Sequence, residues 1–166
     1  MQKVIVIGCP GSGKSTFARH LQKRTGLPLY YLDMIWHKPD KTTVPREEFD
    51  RVLGEILATD AWIIDGNYNR TLETRMQACD TVFLFDLPVE ECLAGVTARL
   101  GKPRVDMPWI EEYFDQEFAD FITQFPTGSL PHVKELLIKY SGQKAVHVFD
   151  SREQADEYLQ KIPRKT

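Results

Sequence analysis

No run of apolar residues in this 166-residue chain approaches the roughly 18 that a membrane-crossing helix needs, so a membrane span is excluded from the reading. An excess of either charge is missing too: 21 Lys and Arg against 24 Asp and Glu leave a formal charge of −3. That balance provides no general electrostatic footprint for nucleic acid, so direct binding is not expected, although a local basic patch stays open. Cysteine is scarce. Cys9, Cys79 and Cys92 fall in no paired spacing and no metal motif, and an odd count without a secretory leader points to reduced thiols and a cytoplasmic protein. Cys92 is expected to pack on a helix. Internal repeats, low-complexity tracts and a dividing linker are absent as well, so residues 1–166 read as one domain with a full core, with monomer and homodimer both open.

What is present starts at the N-terminus. In "VIVIGCPGSGKST", residues 4–16, a buried strand runs into a Gly-rich turn and then into a helical pattern from Lys14. Gly8, Gly13, Lys14 and Ser15 fit G-x-x-x-x-G-K-[ST], whose successive backbone amides surround a phosphate at a helix N-terminus. The stretch Gly8, Pro10, Gly11, Ser12, Gly13, Lys14, Ser15 and Thr16 is therefore the candidate nucleotide-binding loop. Gly11 and Gly13 can adopt backbone angles closed to other residues and leave the phosphate oxygens unobstructed. Lys14 is expected to reach the β and γ phosphates of ATP, and Ser15 to offer its hydroxyl to Mg²⁺.

Strand-like runs at 3–7, 28–32, 61–65, 81–85 and 145–149 alternate with helical patterns, the signature of an α/β fold with a parallel sheet covered on both faces. Helices are expected over 14–24, from Pro45 through "PREEFDRVLGEIL", near 72–77, from Pro88 to about 100, over 129–140 and over 152–160. Residues 101–108, "GKPRVDMP", break the pattern and read as a loop. From Trp109, "WIEEYFDQEFADFITQF" carries an aromatic stripe at helical spacing, read as one helix packing on the core.

Three stretches in order, "GCPGSGKST", "YYLDMIWHKP" and "WIIDGNYNRT", with "PREEFD" between the second and third, resemble the adenylate kinase and shikimate kinase branch of the phosphate-loop kinases. Within it the chain looks most like the bacterial group named "DNA topology modulation protein". The resemblance spans nearly the whole chain and is strongest up to Pro88. It implies a three-layer fold with five parallel strands ordered 2-3-1-4-5, a nucleotide at their carboxyl ends and a reduced lid at about 101–108.

The resemblance also assigns residues. "IIDGNYNRT" is similar to the "DGFPRT" stretch of adenylate kinases with one residue added before the arginine, which implies Mg²⁺ held through water by Asp65 and an acceptor side containing Gly66 and Arg70. Arg70 would meet a phosphate on the acceptor, if it has one. "LDMIWHKP" resembles the second-strand end of shikimate and gluconate kinases, which makes Asp33 the group facing the acceptor hydroxyl. Trp36 would wall the acceptor site, and His37 reads as a surface residue. Arg99, Lys102 and Arg104 stand where related kinases keep lid cations, with Arg99 and Arg104 as catalytic candidates. "VFDSREQADEY" resembles the adenine-contacting loop, implicating Ser151 and Arg152. The resulting expectation is Mg-ATP-dependent phosphoryl transfer to a small acceptor such as a nucleoside, a nucleotide or another hydroxyl compound. The alternative is a regulatory or nucleic-acid-associated NTPase that affects DNA topology and has no small-molecule acceptor.

Overall fold

A computed structural model describes residues 1–164. Strands β1 (Lys3–Gly8), β2 (Leu29–Tyr31), β3 (Trp62–Asp65), β4 (Thr81–Phe85) and β5 (Ala145–Phe149) form one parallel sheet in the order β2-β3-β1-β4-β5. This is the expected α/β architecture. The central strands are apolar almost without a break because both their faces are covered, and residues 4–7, 62–64 and 82–85 are all buried. The parallel register pairs Val6 with Asp65 and Gly8 with Phe85, which sets the ends of β1, β3 and β4 along one edge. Asp65 and the Gly-rich loop thereby meet.

The helices are α1 (Lys14–Thr25), α2 (Leu32–Trp36), α3 (Arg46–Leu57), α4 (Asn69–Ala78), α5 (Val89–Arg99), α6 (Gln116–Gln124), α7 (Leu130–Lys139) and α8 (Arg152–Lys161). α1 turns Phe17, Ala18 and Leu21 into the core and stops at Gly26, whose amide donates to Gln22 O. Pro45 and Pro88 stand just before α3 and α5, and acidic pairs (Glu47 and Glu48; Glu90 and Glu91) occupy the first turns, where the helix dipole favours them. All three cysteines are free and buried, and Cys92 lies on α5 as expected. Among the described residues no helix is long and apolar enough to cross a membrane.

Two expectations are corrected. β2 ends at Tyr31, and residues 32–36 form α2, so Asp33 lies in the first turn of a short helix; Leu32, Ile35 and Trp36 recur at helical spacing and all pack on the core. The helix expected from Trp109 begins only at Gln116, where the Asp115 carboxylate accepts from Phe118 N at 2.8 Å and caps it. Residues 109–115 are instead drawn into the lid, since Gly101 N donates to Glu111 O at 2.8 Å and the Glu111 carboxylate pairs with Arg99 and Arg104. The segment expected to be a lid at 101–108 is therefore part of a longer irregular stretch, about 100–115. At the edge of the sheet, β5 is packed by α8 and leaves Ala145, Val146 and Val148 exposed.

Candidate active site

The Gly-rich loop is held by protein contacts on several sides. Gly11 has φ 79°, and a Cβ there would come within 2.0 Å of Cys92 O on α5; a Cβ on Gly95 would come within 2.1 Å of Gly11 O. Glycine at both positions lets the loop lie directly on α5, a requirement that the motif alone does not contain. Arg152 Nη2 donates to Gly11 O at 2.8 Å, tying the loop to α8. The Asn67 side chain takes both backbone groups of Gly8, accepting from its N–H at 2.9 Å and donating to its carbonyl at 2.6 Å. Gly8 thus shapes the loop but has no free amide for a ligand, contrary to expectation. α1 then begins at Lys14 behind Gly13 (φ 96°) with no side-chain cap, which leaves its first-turn amides open to an anion. Ser12 is fully buried.

Beside Lys14, Ser15 Oγ donates to Asp65 Oδ2 at 2.5 Å. Asp65 Oδ1 is buried without any partner, an expensive arrangement unless a ligand completes it. An orphaned carboxylate oxygen next to a serine hydroxyl is a donor set that fits Mg²⁺, with phosphate and water oxygens supplying the remaining positions. Burial pushes the Asp65 carboxyl up from 3.8 to about 6, opposed by the Lys14 charge and the Ser15 hydroxyl. The unfolded chain gives up this proton near pH 4 and the folded chain near pH 6, so folding takes up a proton between those values. The ligand-free protein should accordingly lose stability as pH rises through that interval, by roughly 2–3 kcal/mol from this group. Thermal melts of Asp65→Asn test this: its advantage over wild type should be larger at pH 7.5 than at pH 4.5, and an equal difference at both would overturn the assignment.

Two cavities open on this end of the sheet. The larger, about 620 Å³, lies along the loop and α5 and is walled by Gly11, Gly13, Lys14, Thr16, Gly95 and Arg152, among others. The smaller, about 260 Å³, runs under the lid and is walled by Asp33, His37, Asp65, Tyr68, Phe118 and Phe121, with Pro10 and Gly66 also on its surface. Lys14, Ser15, Arg99, Arg104 and Asp106 line both. Arg104 pairs with Asp106 at 3.0 Å and Glu111 at 2.7 Å, while Arg99 Nε lies 3.3 Å from Glu111 Oε2 without hydrogen-bond alignment. Burial, and then the neighbouring Arg104 charge, lowers the Arg99 pKa. Lys102 is exposed and lines neither cavity.

In the smaller cavity Tyr68 O–H donates to Asp33 Oδ1 at 2.6 Å. Burial, with the Asp33 charge adding to it, raises the Tyr68 pKa, so the phenol stays a donor. Tyr68 has φ 39°, and its ring stacks on Phe49 with centres 5.4 Å apart. The turn that imposes this conformation is clamped by Arg75, which is wholly buried and donates to the carbonyls of Gly66, Asn67 and Tyr68 and to Thr71 Oγ1. Burial lowers the Arg75 pKa to about 9, which leaves the group cationic at neutral pH.

Sequence reasoning missed Asn67, Tyr68, Arg75, Gly95 and the lid carboxylates. An arginine on the same face as Thr71, one turn earlier on α4, was the only available hint of the clamp. Four assignments are corrected. Arg70 lines neither cavity; it pairs with Asp50 on α3 at 2.6 and 3.1 Å. Trp36 packs edge-on against Phe49 in the core, and His37, read as a surface residue, lines the smaller cavity beside Trp109. Ser151 lines neither cavity and caps α8 by accepting from Gln154 N. The aromatic stripe divides: Ile122 and Phe125 enter the core, Phe118 and Phe121 line the cavity, and Tyr113 is 79% exposed. No protein-family model matches the chain, and no curated protein matches it.

Proposed function

We propose that this chain is a Mg-ATP-dependent phosphotransferase of the phosphate-loop kinase type, related to the bacterial group it resembles. The observation that carries the reading is the meeting of two cavities at a shared set of cations, Lys14, Arg99 and Arg104. In transfer between two bound molecules the phosphoryl group passes through one point between them, where its spread charge gains most from fixed cations. ATP occupies the larger cavity with its phosphates on the α1 N-terminus, and the acceptor occupies the smaller. Ser15 and Asp65 would hold Mg²⁺, which when bound would offset charge on the phosphate oxygens. The acceptor hydroxyl oxygen bonds to the γ-phosphorus as the bond from that phosphorus to the β–γ bridging oxygen breaks. The hydroxyl proton passes to Asp33 and on to solvent, and ADP leaves. A plain NTPase has no use for a second walled cavity containing an oriented carboxylate, which favours transfer over hydrolysis.

Asp33→Asn tests the reading, because it keeps size and leaves the loop untouched. Incubated with labelled ATP, Mg²⁺ and a panel of small hydroxyl compounds, the variant should retain thermal stabilisation by Mg-ATP while transfer falls by about 10² or more. Unchanged transfer, or loss of the Mg-ATP stabilisation, would remove Asp33 from the acceptor site. A wild type that only hydrolyses ATP would overturn the transfer reading.

A further inference from the structure

Charge and lining in the smaller cavity restrict what the acceptor can be, given the two-cavity transfer reading on which this inference rests. Among the described residues its cations are Lys14, Arg99 and Arg104, and each also faces the larger cavity, where the phosphates of ATP belong. Asp106 and Glu111 already pair with the two arginines. The walls beyond that junction carry Asp33, the His37 imidazole, and an aromatic and apolar group made of Tyr68, Phe118, Phe121 and Met107. Arg70, the residue placed to receive an acceptor phosphate by the sequence resemblance, is bound in both guanidinium branches to Asp50, with its carbon 5.9 Å from the centre of the Phe49 ring. A phosphate on the acceptor would bring a charge of about −1.5 to −2 to a compartment that, among the described residues, has no lysine or arginine outside the transfer point and has a carboxylate in its wall. Burying such an anion unpaired is strongly unfavourable.

The apolar walls, in contrast, suit a flat ring. Phe118 and Phe121, three residues apart on α6, share one helix face and line the same cavity as Tyr68. Asp33, with one oxygen engaged by Tyr68, retains the other for a hydroxyl. We propose that the acceptor is an unphosphorylated, ring-bearing hydroxyl compound of the nucleoside class, and that the cavity discriminates against the corresponding monophosphates. The new bond is then between a hydroxyl oxygen and the γ-phosphorus, and the product is a phosphate monoester.

Matched pairs decide the matter. Purified protein with labelled ATP and Mg²⁺ is offered each common nucleoside and its 5′-monophosphate, and kcat/KM is measured for both members. At least one nucleoside should exceed its monophosphate by about 10²-fold, and Arg70→Ala should leave that transfer within about twofold of wild type. Preference for a monophosphate, together with its loss in Arg70→Ala, would overturn the inference while leaving phosphoryl transfer intact. Transfer to neither member of any pair, with transfer to ring-less alcohols retained, would overturn the ring assignment alone. Hydrolysis of ATP with no acceptor used would overturn both this inference and the transfer reading.

Discussion

Lys14→Met should remove most of the thermal stabilisation expected from Mg-ATP and lower the proposed phosphoryl transfer by about 10²–10³. Lys14 is the first residue of α1, lines both cavities and stands close enough to Asp65 for its charge to hold that carboxyl down. It is only half-buried and outside the core, so the ligand-free variant should fold normally. A ligand that binds only the folded state at 100 times its Kd stabilises that state by about 2.7 kcal/mol. For a chain of this size that corresponds to a rise in melting temperature of roughly 5–10 °C. Differential scanning fluorimetry with and without Mg-ATP measures the shift. A variant whose shift matches wild type would overturn the assignment of the loop and α1 N-terminus as the nucleotide site.

The largest effect on folding should come from Arg75→Met. Arg75 is completely buried and supplies donors to three consecutive carbonyls, at Gly66, Asn67 and Tyr68. Methionine fills the aliphatic part of the space but donates nothing, so these acceptors lose their partners; at about 1 kcal/mol or more for each, the loss is roughly 3 kcal/mol or more. A drop in melting temperature of about 6–12 °C should follow. Arg75→Lys retains the charge but cannot span three carbonyls in a planar fork, and should lie between the two. The same clamp sets Tyr68 against Asp33, so transfer by the folded variant should fall while Mg-ATP stabilisation persists. A melting temperature within 1–2 °C of wild type, read by circular dichroism, would show that the turn holds without its arginine.

The reach of local sequence signals is clear from particular elements. The apolar runs of β1, β3 and β4 identified buried strands because two covered faces leave little room for polar side chains, while their central order was implied by the family resemblance. The loop motif carried its own context, strand before and helix after, so Lys14, Ser15 and their neighbours were legible. Asp65 was placed at a strand end, and the parallel register then brought it to Ser15. The 109–125 stripe misled because helical periodicity was real only from 116; ahead of it, Glu111 found two arginines across the lid, and those contacts overrode local helix preference.

The sequence by itself determined the α/β layering, the end of β3 at Asp65 and the strand–loop–helix turn at residues 8–15, because hydrophobic period and backbone chemistry act between near neighbours. Tertiary structure alone decided which side chains face the smaller cavity. Arg70 turned to Asp50, Trp36 went to the core, Ser151 became a cap, and Arg75, Tyr68 and Asn67 built the wall around Asp33. Each of these outcomes depends on which partners lie across the gap, at sequence separations that hydrophobic period does not report.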